Sequence, residues 1–511
     1  MRTIHLLTLV VAVSLSSAYA GKGSGNAAAT TTGPQRGQLL NSPPPKLGSY
    51  SPSDLLSRLS GSDFVQDLVE LTFSPTCSVD VYQLQYETVG GKGEATTASG
   101  ALMIPTGSNA ECQGPRPILL YAHGWAGSRG FNIADLSNSD EGLLLATIFA
   151  ANGYIIVAPN YAGYDSSTLD YHPYLNADQQ SKDMIDALSA AQTALPATNS
   201  SDNHKLFVTG YSQGGFVAMA THRALQAAGT AVTASAPMSG PYAMSAFVDA
   251  AFMGEVPVSA PADFTMLVSS YQHAYGNIYS STTDVFEARY ATGIDSLLPT
   301  TINLSTLYAQ GRLPSSALFS STPPAPEFAA MTPATTPRKL APAFAIGFGA
   351  DNLVTNSFRL GYLRDAQAAP DGGFPTTTTG LPPATPGNTL RQALKQNDLR
   401  NWTPTAPVLL CAGNGDPAVL YLNTQLMQGY WAPIAPPNSS ITILDVDSHF
   451  SSGDPYSDLK ARFAVAKALV AFAAVIRGAS DGGKSAVLQA YHTALVPPFC
   501  VSAVKSFFDS H

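Results

Sequence analysis

The most constraining feature of the chain is a short run, Leu206 to Thr209 followed by Gly210-Tyr211-Ser212-Gln213-Gly214-Gly215 and an apolar stretch from Phe216 onward. GxSxG alone is common. Between a continuous apolar strand and a helix it describes a sharp strand-to-helix turn, where glycines remove side chains that would collide and a serine hydroxyl is left exposed above a sheet. A chain built around such a turn needs buried parallel strands, because only strands covered on both faces read as unbroken apolar runs.

Runs of that kind recur at Ile118 to Ala122, Tyr154 to Ala158, Ala234 to Met238, Val408 to Ala412 and Ile441 to Leu444. Between two of them, Asn176 to Leu195 carries Met184, Ile185, Leu188, Ala191 and Leu195 at helical spacing, the stripe of a helix packed on a sheet. Upstream, Val79 to Val89 and Ala98 to Ile104 flank Gly90, Gly91 and Gly93 and read as an antiparallel hairpin at one side of a mixed sheet. The expected class is therefore α/β, a mostly parallel central sheet flanked by helices. The rhythm breaks between about Tyr242 and Arg391, where Pro, Thr, Ser and aromatic residues accumulate. An inserted, largely helical cap over residues 243–391 is the expectation, with 47–242 and 392–511 forming the core. The apolar stretch Ala468 to Ile476 is read as a buried helix, too short to span a bilayer.

Arg2, the apolar run Leu6 to Val13 and Ala18-Tyr19-Ala20 make residues 1–20 an expected signal peptide and the protein an expected secreted one. The Gly-, Thr- and Pro-rich stretch 21–46 reads as a flexible leader. An even count of four cysteines suits an oxidising compartment. Of three possible pairings, the local ones, Cys77 with Cys112 and Cys411 with Cys500, are preferred. A loop of the first size restricts the unfolded chain by about 4 kcal/mol in the entropy model. A net charge of −9 and the absence of a basic cluster exclude an electrostatic reason to bind nucleic acid or anionic membrane. Neither HExxH nor CxxC occurs, so no metal site is expected. After signal removal no transmembrane segment is expected either, and the protein is expected to be a monomer.

A serine is a weak nucleophile unless a base lies within hydrogen-bond reach and a carboxylate holds that base in one tautomer. In a fold of this kind the chain order is serine, acid, histidine. Asp416, in the Gly-rich turn after Val408 to Ala412, is the expected acid. Asp445 and Asp447 crowd a later loop and Asp351 falls in or near the insertion. Of the late histidines, His449 follows the strand ITILDV directly and is the expected base. His492 sits in a helical-looking stretch and His511 ends the chain. Oxyanion donors are expected from the Gln213 amide and from the loop His123-Gly124-Trp125-Ala126-Gly127, with the Trp125 amide favoured and Gly124 second. His123 is read as a hydrogen-bonding brace for that loop.

With these residues in place, YAHGW (Tyr121 to Trp125), VAPNYAGY (Val157 to Tyr164), HPY (His172 to Tyr174), GYSQGG, NDLRNW (Asn397 to Trp402) and LLCAGNGDP resemble the secreted lipase and esterase branch of the α/β-hydrolases, including bacterial secretory lipases and the fungal lipase A type. The resemblance implies a helical cap between nucleophile and acid and hydrolysis of small-molecule or lipid acyl esters through an acyl-enzyme, without metal or organic cofactor. A polyester depolymerase, a peptidase and an acyltransferase share one such constellation. A noncatalytic binding protein on this fold would be expected to have lost part of it. A serine at the turn speaks against dehalogenase and epoxide hydrolase chemistry, which uses aspartate there. Asn199, Asn303 and Asn438 begin N-x-[ST] triplets, glycosylation acceptors only in a eukaryotic secretory route.

Overall fold

In the computed structural model, residues 35–59, 75–375, 380–435, 440–451 and 453–511 are described. The expected signal peptide, most of the expected leader and Asn438 lie outside them. A nine-stranded mixed sheet forms from β1 (Lys46–Tyr50), β2 (Ser78–Val89), β3 (Ala95–Thr106), β4 (Arg116–Ala122), β5 (Ile155–Pro159), β6 (Asp202–Tyr211), β7 (Ala234–Met238), β8 (Val408–Ala412) and β9 (Ile441–Asp445). Their order in space is β1-β2-β3-β5-β4-β6-β7-β8-β9. The first three strands and the β3–β5 junction are antiparallel, and from β5 to β9 the neighbours are parallel. Each continuous apolar run is thus a strand, and those of β5, β7 and β8 are buried along their whole length.

The main helices are α1 (Asp140–Ile148), α2 (Ala177–Ala194), α3 (Gln213–Ala227), α4 (Met244–Phe252), α5 (Ala260–Tyr275), α6 (Asn356–Ala368), α7 (Thr389–Gln396), α8 (Ser457–Ile476) and α9 (Val496–Asp509), and α2, α3 and α9 pack on the strands of the sheet. The chain leaves β4 on one side to make β5 and returns on the other to make β6. That reversal opens a crevice at the carboxyl ends of β4 and β6, where ligands bind in sheets of this type.

Between β7 and β8 the regular structure is mainly helical, and buried ion pairs fasten the segment to itself. Arg391 on α7 meets Asp249 on α4 at 2.8 Å and Asp365 on α6 at 2.7 Å. Tyr362 donates to Asp249 at 2.7 Å. Arg400 joins Asp371 and Asp398 at 2.5 and 2.8 Å, which gives the NDLRNW motif a structural task. Removing one partner of such a group strands a buried charge, at a typical cost of about 3–5 kcal/mol.

Two expectations are corrected. Residues 35–46 are no free leader: Gly37 and Leu40 donate backbone hydrogen bonds to Glu87 and Gln85 of β2 at 2.8 Å, and Leu39 packs on the core. Polar, Pro-rich composition missed this because pairing along a strand uses backbone groups. The helix at Ala468 to Ile476 is not buried. Within α8 only Phe463 and Ala466 are buried, and Val465, Leu469, Phe472, Val475 and Ile476 are exposed. A helix apolar all round seats one face and leaves the other in solvent. The helical run Lys484–Asp509 has the length and hydropathy of a membrane span, but its apolar side lies on the sheet through Phe499, Cys500, Val504 and Phe508.

Both disulfides form as preferred, Cys77–Cys112 and Cys411–Cys500. The second ties β8 to α9 across 89 positions, a loop whose closure is worth about 4–5 kcal/mol in the entropy model. Replacing Cys411 and Cys500 together by serine is expected to lower the thermal midpoint by more than 5 °C, read by calorimetry, and to reduce reactivity at Ser212 by loosening the segment before α9.

Candidate functional site

Ser212 stands at the turn between β6 and α3 with φ 58° and ψ −121°, a backbone state that costs a non-glycine residue about 1–3 kcal/mol. The surroundings enforce it. A Cβ on Gly214 would fall 1.9 Å from the Ala122 carbonyl oxygen, and one on Gly215 2.3 Å from that of Met238. Glycine therefore lets α3 start in contact with β4 and β7, and the Ser212 N–H donates to Met238 at 3.0 Å. The Gln213 amide opens the helix, where first-turn N–H groups have no partner inside the helix.

The expected acid, Asp416, lies beside the end of β8. Asp416 is fully buried in the turn after β8, and one carboxylate oxygen accepts the Ala418 and Val419 N–H groups at 2.9 and 3.0 Å. Its second oxygen is 2.7 Å from Nδ1 of His492, and Nε2 of the same ring is 2.8 Å from Ser212 Oγ. The structure thus joins Ser212, His492 and Asp416 in one hydrogen-bonded chain. His449 is not part of it. That residue is exposed on the loop after β9, and the strand that was expected to deliver it ends at the outer edge of the sheet, two strands beyond β7.

His492 was passed over because its surroundings read as uninterrupted helix. The run instead contains a π-helical turn, Tyr491–Leu495, before α9. Such turns bulge a helix and often occur at functional sites. The available signal was Pro497-Pro498, since proline removes a donor and crowds the preceding turn of a helix. Neighbours fix the bulge. Tyr211, beside the serine, donates to the His492 carbonyl at 2.5 Å. The Tyr491 hydroxyl accepts the Gly415 N–H at 2.9 Å and donates to Asp447 at 2.7 Å. Asp445 receives the Asn414 N–H at 3.0 Å, so both rejected aspartates brace the acid's turn and the histidine's helix. Asp351 is exposed and pairs with Arg289.

The loop after β4 is pinned at several points. Tyr161 donates to the His123 carbonyl at 3.0 Å, Tyr164 to that of Ala126 at 2.7 Å, and the Thr300 N–H to that of Gly127 at 2.8 Å. The Gly124 N–H points to the Glu141 carboxyl group. His123 is buried between carbonyls, and desolvation lowers its pKa to about 4, which keeps it neutral. His172, from the HPY motif, has Nδ1 2.9 Å from the Ala162 carbonyl and Nε2 2.8 Å from the Gln213 side-chain nitrogen. Burial pushes it down to about 3, so the neutral ring donates at one nitrogen and accepts at the other. It thereby holds the side chain of the residue after the serine.

Ser212, His492, Trp125 and Glu141 line a cavity of about 470 Å³ whose other walls include Met244, Phe252 and Phe264. Most of the wall is apolar, as in sites that take small organic ligands. Asp263 also faces it, and among the described residues its carboxyl makes no hydrogen bond. Desolvation raises its pKa from 3.8 to about 7, against an opposing attraction to His492.

Residues 144–278 match the prolyl oligopeptidase family, a span that includes Ser212 but neither Asp416 nor His492. No curated protein sequence matches the chain. Among solved structures, a ligand-bound form of the rice cell wall degrading esterase LipA from Xanthomonas oryzae superposes with a TM-score of 0.66 at 25% identity, covering 93% of this chain and 100% of that one. A structure from Legionella pneumophila described as a hydrolase gives 0.62 at 20% identity, over 92% and 97% of the two chains. The fold is that of the α/β-hydrolases. Candida antarctica lipase A is more distant, at 12% identity and a TM-score of 0.46 over 80% of this chain and 76% of that one. An α/β-hydrolase core explains why strand order, serine turn and buried aspartate occur together here.

Asp263 provides a test of the cavity's polarity. Below pH 3.8 the group is protonated in both folded and unfolded chains and has no effect on stability. As pH rises toward about 7 the unfolded chain releases its proton first, so the folded state loses stability across that window. Asp263→Asn removes this penalty. The variant is expected to exceed the wild type in thermal midpoint at pH 7 and to match it near pH 4, measured by calorimetry across that range.

Proposed function

We propose that this protein is an exported hydrolase of carboxylic esters, with Ser212 as nucleophile, His492 as general base and acid, and Asp416 as the carboxylate that orients the ring. The observation that carries the reading is the unbroken chain from Asp416 through His492 to Ser212, at 2.7 and 2.8 Å. Ser212 Oγ attacks the ester carbonyl while His492 Nε2 takes its proton. Asp416 stabilises the resulting imidazolium. The Gln213 and Trp125 amides receive the developing oxyanion, because Gly124 already spends its N–H on Glu141. Collapse expels the alcohol, which takes the proton from His492 and leaves an acyl-enzyme. Water then attacks with the same histidine as base and releases the acid.

Residues 243–391 act in this reading as the cap that supplies the apolar wall, through Met244, Phe252 and Phe264, and keeps bulk water from the acyl-enzyme. Two disulfides agree with export. LipA of Xanthomonas oryzae is a cell wall degrading esterase, which points the same way. The match of residues 144–278 to the prolyl oligopeptidase family favours a peptidase as the second reading, since an amide and an ester are attacked by the same groups.

Hydrolysis of p-nitrophenyl esters from acetate to palmitate is the test, beside peptidyl p-nitroanilides. Ser212→Ala and His492→Ala are expected to lose at least about 10³-fold in kcat, and His449→Ala to stay within about twofold of the wild type. Cleavage of the anilides alone would replace ester hydrolysis by peptide hydrolysis, and an active His492→Ala variant would sink the assignment of the base.

A further inference from the structure

We propose that Glu141 is a positioning residue that sets the oxyanion loop: its carboxyl group holds the Gly124 N–H and thereby leaves the Trp125 N–H to face the reacting carbonyl. The inference rests on the ester-hydrolase reading above and deepens it by assigning Glu141 a positioning task and a pH dependence. The Gly124 nitrogen lies 3.2 and 3.4 Å from the two carboxyl oxygens, and the Tyr121 hydroxyl is 2.6 Å from one of them. The tyrosine anchors and Thr300 all bind carbonyl oxygens of the loop. Glu141 therefore orients an N–H in a loop where the orientation of the next N–H matters. Peptide planes are rigid and neighbouring ones are coupled through shared dihedrals, so fixing the Gly124 amide restricts where Trp125 can point.

The clamp is itself held firmly. Glu141 is in the first turn of α1, whose N-cap Ser139 accepts the Gly142 N–H at 3.0 Å. A Cβ on Gly142 would fall 2.3 Å from the Ile133 carbonyl oxygen, so the helix start presses directly on the preceding loop. The carboxyl also stands close to the chemistry. A Cβ built on Gly124 would lie 3.9 Å from Ser212 Cβ and 4.0 Å from Glu141 Oε2, and Glu141 and Ser212 line the same cavity.

A negative charge here would oppose the oxyanion it helps to receive. Burial pushes Glu141 up to about 7, against the opposing hydrogen bonds from Tyr121 and Gly124. The groups around it are Tyr121 on β4, Tyr161 after β5 and Tyr211 on β6, all held above the usual tyrosine range by burial, and Asp140 on its own helix. Across the cavity stand Asp263 and His492. A neutral carboxyl keeps an acceptor oxygen for Gly124 without the charge. Ionisation above pH 7 retains the acceptor and adds repulsion.

The experiment compares Glu141→Ala and Glu141→Gln with the wild type on p-nitrophenyl butyrate between pH 5 and 9. The alanine variant is expected to lose about 10- to 100-fold in kcat with KM within about twofold, the signature of an interaction made mainly in the transition state. The glutamine variant keeps a neutral acceptor. It is expected to stay within about threefold of the wild type at pH 6 and to lack the fall in rate above pH 7 that is expected of the wild type. Asp263 is common to both proteins, so the difference between their profiles belongs to Glu141. A folded alanine variant with wild-type kcat, or equal losses in both variants, would overturn the proposal. If the alanine variant does not fold, a glutamine profile identical to the wild type's overturns it. Should the wild type cleave no ester, that reading fails by itself. The rate at which a fluorophosphonate labels Ser212 then tests the clamp, with slower labelling of Glu141→Ala supporting it and equal rates refuting it.

Discussion

The 2.7 Å contact between Asp416 and His492 joins two segments far apart in sequence, the turn after β8 and a helical run at the end of the chain. The aspartate is fully buried, and a charge in that position is sustained only by partners. Two backbone N–H groups supply part of the compensation, and the imidazole supplies the rest. Around this contact the Cys411–Cys500 disulfide, the Tyr491 bridge from Gly415 to Asp447 and the Tyr211 bond to the His492 carbonyl all oppose separation of the same two segments.

A second group of interactions governs the loop after β4. Neutral histidines are central to it. His123 is desolvated among carbonyl groups and His172 joins the Ala162 carbonyl to the Gln213 side chain. Two buried histidines near a reactive serine invite assignment as bases, yet each has its ring nitrogens committed to the scaffold. The cavity beyond them is mainly apolar, and two of the three carboxyl groups in its wall, Glu141 and Asp263, are raised to about 7 by desolvation. The site therefore carries less negative charge near neutral pH than its residue types suggest.

Strands β2 to β9, the serine turn, the aspartate that meets His492 and both disulfides were legible in the sequence because each rests on local chemistry, whereas β1 was not. A doubly covered strand must be apolar throughout, a sharp turn packed against two strands must be glycine-rich, and an aspartate after a strand in a Gly-rich turn has few other uses. The order of chain elements narrowed the remaining choice to a late histidine. Position after a strand then favoured His449, and that criterion failed. Loop position is a statement about sequence neighbours, whereas the distance from Ser212 to His492 spans 280 residues.

The sequence by itself thus determined a mostly parallel α/β sheet, a serine at a strand-to-helix turn and an aspartate in the turn after β8, since periodicity and turn chemistry act within a few residues. Tertiary structure alone decided which histidine completes the site, which face of α8 remains in solvent and which amide of the loop after β4 is already spent. Those outcomes depend on where β9, the π-turn and Glu141 lie relative to elements distant in the chain. Long-range packing sets those positions, and no local pattern encodes it.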